Sequence, residues 1–129
     1  MYSIGEAAHR SGVMIETIRY YEREGIVAKP DRTAAGRRIY DDDGIARLRF
    51  VKRCRDLGFP IPEAKSLLGL TDGSQSSCSS ARSIAMEHLD LVQGKIAVLK
   101  RMQTALEALV EQCSDDEKAC PILNELLSE

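Results

Sequence analysis

Ser3-Ile4-Gly5-Glu6-Ala7-Ala8-His9-Arg10-Ser11-Gly12-Val13-Met14-Ile15-Glu16-Thr17-Ile18-Arg19-Tyr20-Tyr21-Glu22-Arg23 is the stretch whose organisation decides the fold. A serine followed three residues later by glutamate is a capping box, in which the hydroxyl satisfies an amide of the first turn and the glutamate reaches back to the cap. A short helix is expected from there to about Arg10. Ser11-Gly12 breaks it. Met14 to Arg23 then offers a second helix, with Ile15, Ile18 and Tyr21 on one apolar stripe. Helix, glycine turn, helix is the helix-turn-helix arrangement.

Downstream, Gly25 to Tyr40 has glycine and proline punctuation inside and β-formers at both ends, which predicts a short two-stranded wing. Asp43 to Leu57 returns to helical spacing, with Ile45, Leu48, Val51 and Cys54 on one side and Arg47, Arg49, Lys52, Arg53 and Arg55 elsewhere. Gly58 ends that helix. Pro60 and Pro62 suit the first turn of a fourth, buried through Ala64, Leu67 and Leu68 until Gly69. Residues 1–70 thus form a compact winged helix-turn-helix head.

Residues 71–80, rich in Ser, Gly and Asp, read as a linker that carries Cys78. From 81 to 112 there is no proline, and Ala85, Leu89, Val92, Ile96, Leu99, Gln103, Leu106 and Val110 alternate spacings of four and three, the seam of a coiled coil. Gly94 is its weak point, costing about 1 kcal/mol relative to Ala. Such a helix, about 45 Å long, cannot bury its stripe on a small head alone and needs a partner helix. Twofold homodimers are the commonest solution. Residues 113–129 form a loop from Cys113 to Cys120, whose Asp115, Asp116 and Glu117 read as a solvated acidic turn, and a last helix from Pro121 to about Leu127. The expected fold class is mainly α: a winged helix-turn-helix head, a long antiparallel coiled-coil dimerisation helix, and a short C-terminal metal-binding loop and helix.

The formal net charge of −2 conceals an asymmetry: residues 1–58 hold twelve Lys/Arg against nine Asp/Glu, leaving six against eleven for the rest. A basic head precedes an acidic tail. No apolar run approaches the roughly 20 residues that span a bilayer, and no signal-peptide pattern opens the chain, so a soluble, cytoplasmic protein is expected. His9 and His88 lack the context of a catalytic base, His88 reads as a surface residue, and no phosphate-cradling glycine loop is present. No enzyme is expected. Basic and aromatic residues gather where a winged helix-turn-helix meets a duplex: Arg19, Tyr20 and Tyr21 on the second helix, Arg32, Arg37 and Arg38 in the wing.

The four cysteines, without a secretion signal, read as free thiols. Cys54 falls on the apolar face of the third helix and is assigned to the core. Cys113 and Cys120 are too far apart for one helical turn, but a loop between them can fold both sulfurs onto one ion. Cys78 lies at the opposite end of the long helix, and the two ends meet only in an antiparallel dimer.

Ile4-Gly5-Glu6-Ala7-Ala8, Thr17-Ile18-Arg19-Tyr20-Tyr21-Glu22, Gly25, Pro30, Arg32, Gly36-Arg37-Arg38, Tyr40, Leu48-Arg49-Phe50 and Leu57-Gly58-Phe59 run in an order that resembles the N-terminal domain of the MerR family of transcriptional regulators, and the likeness continues through the long helix and the cysteine-bearing tail. The resemblance implies DNA contacts by Thr17, Arg19, Tyr21, Arg32, Arg37, Arg38 and Arg55, with Tyr20 packed in the head. It implies a metal site made by Cys78 of one protomer with Cys113 and Cys120 of the other, one ion per site and two sites per dimer. Family sensors of monovalent copper, silver or gold usually have Ser at the Cys78 position, so Cys78 argues for a divalent ion. Three thiolates suit mercury, cadmium or lead better than zinc, which prefers four ligands. The family pattern further implies a dimer that represses without metal and, with metal, activates RNA polymerase at the promoter by distorting double-stranded DNA. A thiol-redox or electrophile sensor, switching at Cys54 or through a Cys113–Cys120 disulfide, is the alternative.

Overall fold

The computed structural model describes residues 1–72, 77–112 and 120–129, with Arg38 and Asp72 described by their backbone alone. It is mainly helical, with two compact units, Met1–Ala85 and Met86–Glu129.

The first unit begins with α1 (Ile4–Ser11), capped by Ser3, whose Oγ accepts from the Glu6 amide at 3.2 Å. Gly12 closes the helix in the left-handed conformation at φ 74°, which a side chain at this position would strain. Ser3→Ala is expected to lower the stability of the head by about 1 kcal/mol, as a loss of cap does; chemical denaturation followed by circular dichroism measures it. Helix α2 (Ile15–Arg23) buries Ile18, Tyr21 and Glu22 and leads through Gly25 into the wing.

The wing is smaller than its β-formers suggest. Strands β1 (Asp31–Arg32) and β2 (Arg38–Ile39) pair antiparallel, Asp31 opposite Ile39 and Arg32 opposite Arg38. Ile26 and Val27, which precede β1, enter the core instead of a strand. A bridge between Tyr2 and Tyr40, with both N–H···O distances 2.7 Å, ties the base of the wing to the start of the chain.

Helix α3 (Asp42–Asp56) is capped by Asp41, whose carboxylate accepts from the Gly44 amide at 2.7 Å, and it supplies the centre of the core through Ile45, Leu48, Val51 and Cys54. Proline pre-sets the start of α4 (Ile61–Gly69): Pro60 occupies the cap and Pro62 the first turn, where a missing N–H costs nothing. Ala7, Ile18, Leu48, Val51 and Ala64 are almost completely buried and join α1, α2, α3 and α4 in one cluster. A 3-10 turn, Leu70–Asp72, comes next.

Helix α5 (Ser77–Gln112) is 36 residues long. It begins inside the Ser-rich stretch expected to be linker, so Cys78 lies in its first turn. Beyond Gly73 no residue there breaks a helix, and serine is at home at a helix start. Ile84 packs against the core of the head. In the second unit α5 continues through Gly94 without interruption. Leu89, Leu99, Leu106 and Val110 stand more than half exposed on the expected seam. His88, expected on the surface, is instead buried at 8% exposure, because it falls in phase with the half-buried Ala81 and Ile84 on one helical stripe. Helix α6 (Pro121–Leu127) closes the chain with Leu123, Leu126 and Leu127 exposed. Among the described residues, no helix is long and apolar enough to cross a membrane.

Candidate nucleic-acid interface and thiol groups

Helix α2 separates its two faces cleanly. Glu16, Arg19, Tyr20 and Arg23 are exposed, while Ile18, Tyr21 and Glu22 are buried and Thr17 lies between. Arg19 Nη1 stands 3.9 Å from Glu16 Oε1, an exposed i,i+3 pair that restrains the guanidinium only weakly and leaves its donors available. The tyrosines differ in burial from what the packing of Tyr20 in the head would require. Tyr20 is 42% exposed, so it is not packed in the head, whereas Tyr21 is 6% exposed. The reason is helical phase: Tyr21 comes three residues after Ile18 and shares its buried side, while Tyr20 is turned about 100° away.

Burial raises the Tyr21 hydroxyl above its ordinary pKa, against the opposing pull of the Arg55 and Lys52 charges. The phenol therefore stays a neutral hydrogen-bonding group beside two cations of α3. Arg55 is anchored through Nη1, which donates to the Phe59 carbonyl at 2.6 Å and braces the turn at Gly58. A guanidinium has five N–H donors, so this bond leaves others for an anion such as a phosphate.

In the wing, Arg32 folds back on its own turn, Nη1 donating to the Gly36 carbonyl at 2.8 Å. Gly36, at φ 83°, makes that reversal sterically accessible, and the Thr33 hydroxyl accepts from the Arg37 amide at 3.2 Å. Arg37 projects as an exposed side chain from this braced tip. Arg38 lies in β2 opposite Arg32, and its side chain falls outside the described residues.

Sequence reasoning missed the tie between α2 and the wing. The Tyr40 hydroxyl donates to Glu22 Oε1 at 2.5 Å with both residues buried. They lie eighteen positions apart, beyond any local pattern; the one signal was a carboxylate on the apolar side of α2.

The thiols differ in accessibility. Cys54 is buried, as expected, and burial raises its pKa and keeps it protonated. Cys78 is exposed on the first turn of α5, Cys120 is half-buried at the start of α6, and Cys113 lies outside the described residues. Among the described residues, no three His, Cys, Asp or Glu side chains gather as a metal-binding group. Native alkylation at neutral pH should therefore label Cys78 well before Cys54, because attack requires an accessible thiolate. Peptide mass spectrometry resolves the order, and labelling of Cys54 is expected only on unfolding.

A helix-turn-helix with a braced, arginine-bearing wing and a basic recognition-helix face defines a DNA-binding transcriptional regulator. The model of the MerR HTH family regulatory protein matches residues 2–70, and that described as MerR, DNA binding matches residues 45–109. The chain belongs to the MerR family. It is 38% identical over 128 residues to the mercuric resistance operon regulatory protein of Bacillus cereus, covering 98% of this chain and 97% of that one. Among solved structures, PbrR691 from Ralstonia metallidurans in complex with lead(II) matches with a TM-score of 0.83 at 31% identity, covering 98% of this chain and 99% of the other. MerR from Bacillus megaterium in complex with mercury(II) matches with a TM-score of 0.77 at 36% identity, covering 98% and 100%.

Proposed function

We propose that this chain is a metal-responsive transcriptional regulator that represses without metal and activates with it, sensing a soft divalent ion, Hg(II), Cd(II) or Pb(II), in preference to Zn(II). The observation that carries this reading is the division of the cysteines: the thiol within the head is buried and protonated, while Cys78 and Cys120 sit at the starts of two helices outside the head core. The same division disfavours Cys54 as a redox switch. The lead and mercury complexes of the similar proteins support a soft ion.

Cys78, Cys113 and Cys120 supply the donor set. Cys113 comes directly after Gln112, which lies about 50 Å along α5 from Cys78, so a three-thiolate site takes Cys78 from one protomer and Cys113 and Cys120 from the other. The exposed seam of α5 supports the antiparallel homodimer this requires. Ligation needs deprotonated thiols and releases protons. It fixes Cys78, Cys113 and Cys120 around one ion, and that constraint is passed through the dimer to the two heads.

On the DNA side, Thr17, Arg19 and Tyr20 face the major groove, Arg32, Arg37 and Arg38 hold the flanking backbone, and Arg55 binds phosphate with the Tyr21 hydroxyl beside it. Activation is a distortion of promoter DNA that permits engagement by RNA polymerase. Bending a site costs on the order of 1–6 kcal/mol, within reach of a strong metal–thiolate interaction.

The test is competitive metal titration of the reduced protein under anaerobic conditions, following thiolate-to-metal charge-transfer absorbance with mercury, cadmium, lead, zinc and copper(I). One divalent ion bound tightly per protomer is expected. Absence of tight binding by every ion, with promoter control lost on mild peroxide treatment, would favour the thiol-redox reading.

A further inference from the structure

The wing is joined to the head by polar ties over an incompletely filled base. A cleft of about 170 Å³ is lined by Pro30, Asp31 and Ile39 of the wing and Gly44, Arg47 and Leu48 of α3. At its edge Tyr40 is held through its backbone, in the bridge to Tyr2, and through its hydroxyl, by Glu22. Glu22 is 4% exposed, the one carboxylate among the described residues that the fold buries to this degree. Withdrawing a carboxylate from water is costly unless hydrogen bonds compensate it. An apolar side chain at this position would fill the core without that cost, but would leave the tyrosine hydroxyl without this acceptor. Glu22 stands three residues after Arg19 on the recognition helix, and Tyr40 three residues after Arg37 at the wing tip. The bond therefore spans the two elements that must meet the duplex together.

We propose that the Tyr40–Glu22 hydrogen bond sets the wing against the recognition helix, making Tyr40 a positioning residue for two-point engagement of DNA, α2 in the groove and the wing on the adjoining backbone. This rests on the reading of Arg37 as a DNA contact. Loss of the bond leaves each element folded but frees the wing to shift over the cleft, so the helix still docks while the wing contact weakens. The effect differs from that of a core defect, which lowers all binding through loss of folded protein.

The test uses the full chain and a duplex selected by the wild-type protein from a random pool, compared with an unselected duplex of equal length. Tyr40→Phe is expected to weaken binding to the selected duplex about tenfold, the worth of one hydrogen bond to a charged acceptor, and to leave binding to the unselected duplex within about twofold, since that binding is mainly electrostatic. Hydroxyl-radical footprinting should show the same backbone protections lost as in Arg37→Ala. In the Arg37→Ala background, Tyr40→Phe should add little, because the two act through one contact. Glu22→Gln, which keeps an acceptor but weakens the bond, should move the footprint part of the way. A Tyr40→Phe protein with wild-type affinity and footprint would overturn the proposal. So would a loss equal on both duplexes and additive with Arg37→Ala, which marks a structural role. If Arg37→Ala itself binds and footprints as wild type, the underlying reading of the wing fails, and the positioning role with it.

Discussion

Cys120→Ser is expected to weaken binding of a soft divalent ion by at least about 100-fold and to remove most of the thiolate-to-metal absorbance, while the melting of the head stays unchanged. The magnitude comes from dividing the roughly 10–16 kcal/mol of a structural zinc site among three ligands, which leaves about 3 kcal/mol or more for each, enough for a loss of about 100-fold. A hydroxyl replaces the thiolate with a neutral, harder donor that a soft ion binds poorly. The half-buried position of Cys120 at the start of α6 lies outside the core cluster of the head, so stability and ligation can be separated. Titration of the variant beside the wild type, with thermal melts of both in chelator, makes the comparison. Unchanged affinity would exclude Cys120 from the site, and a matching fall in melting temperature would recast it as structural.

Leu48→Ala carries the largest expected cost to the fold, about 2–5 kcal/mol of unfolding free energy. Leu48 is 1% exposed and belongs to the core cluster that also holds Ile18 of α2 and Val51 of α3, so truncation opens a void within that core. The same truncation at Leu99, 62% exposed, removes no comparable packing within the chain. Denaturant titrations of both variants should show a large drop in midpoint for Leu48→Ala, with little change in the melt of the head for Leu99→Ala. Equal effects would mean that the core is not centred on α3.

The helix boundaries were legible in the sequence because their causes are local. Ser3 with Glu6, Gly12, Gly58 and Pro60 with Pro62 act within one turn of the ends they mark, and the α1 to α4 bounds fall within a residue or two of those expected. Four features were not legible in the same way. The start of α5 was hidden by composition, since a serine run suits a linker and a helix N-terminus equally well. The tyrosine pair was legible in principle: the three-residue step from Ile18 already placed Tyr21 on the buried stripe, and the family pattern pointed the other way. His88 teaches the same lesson, a polar residue whose helical phase outweighs its chemistry. The Tyr40–Glu22 bond depends on a chain reversal through the wing, which no local pattern reports.

The proposed donor set rests on residue types and on their spacing along the chain. Sequence separation along a helix gives a length, and that length excludes Cys78 and Cys113 of one chain from a common site. It says nothing of which ion three sulfurs select.

The unbroken course of α5 turns residue count into angle. Each residue added to a helix advances the downstream part by about 1.5 Å and rotates it by about 100°, so a single insertion after Gly94 would carry Leu99, Leu106 and Val110 out of line with Leu89. Seven added residues return the pattern to within about 20° of its starting azimuth while lengthening the rod by roughly 10 Å. Indels in this segment are therefore constrained by phase before they are constrained by length, and those that preserve the seam come in sevens.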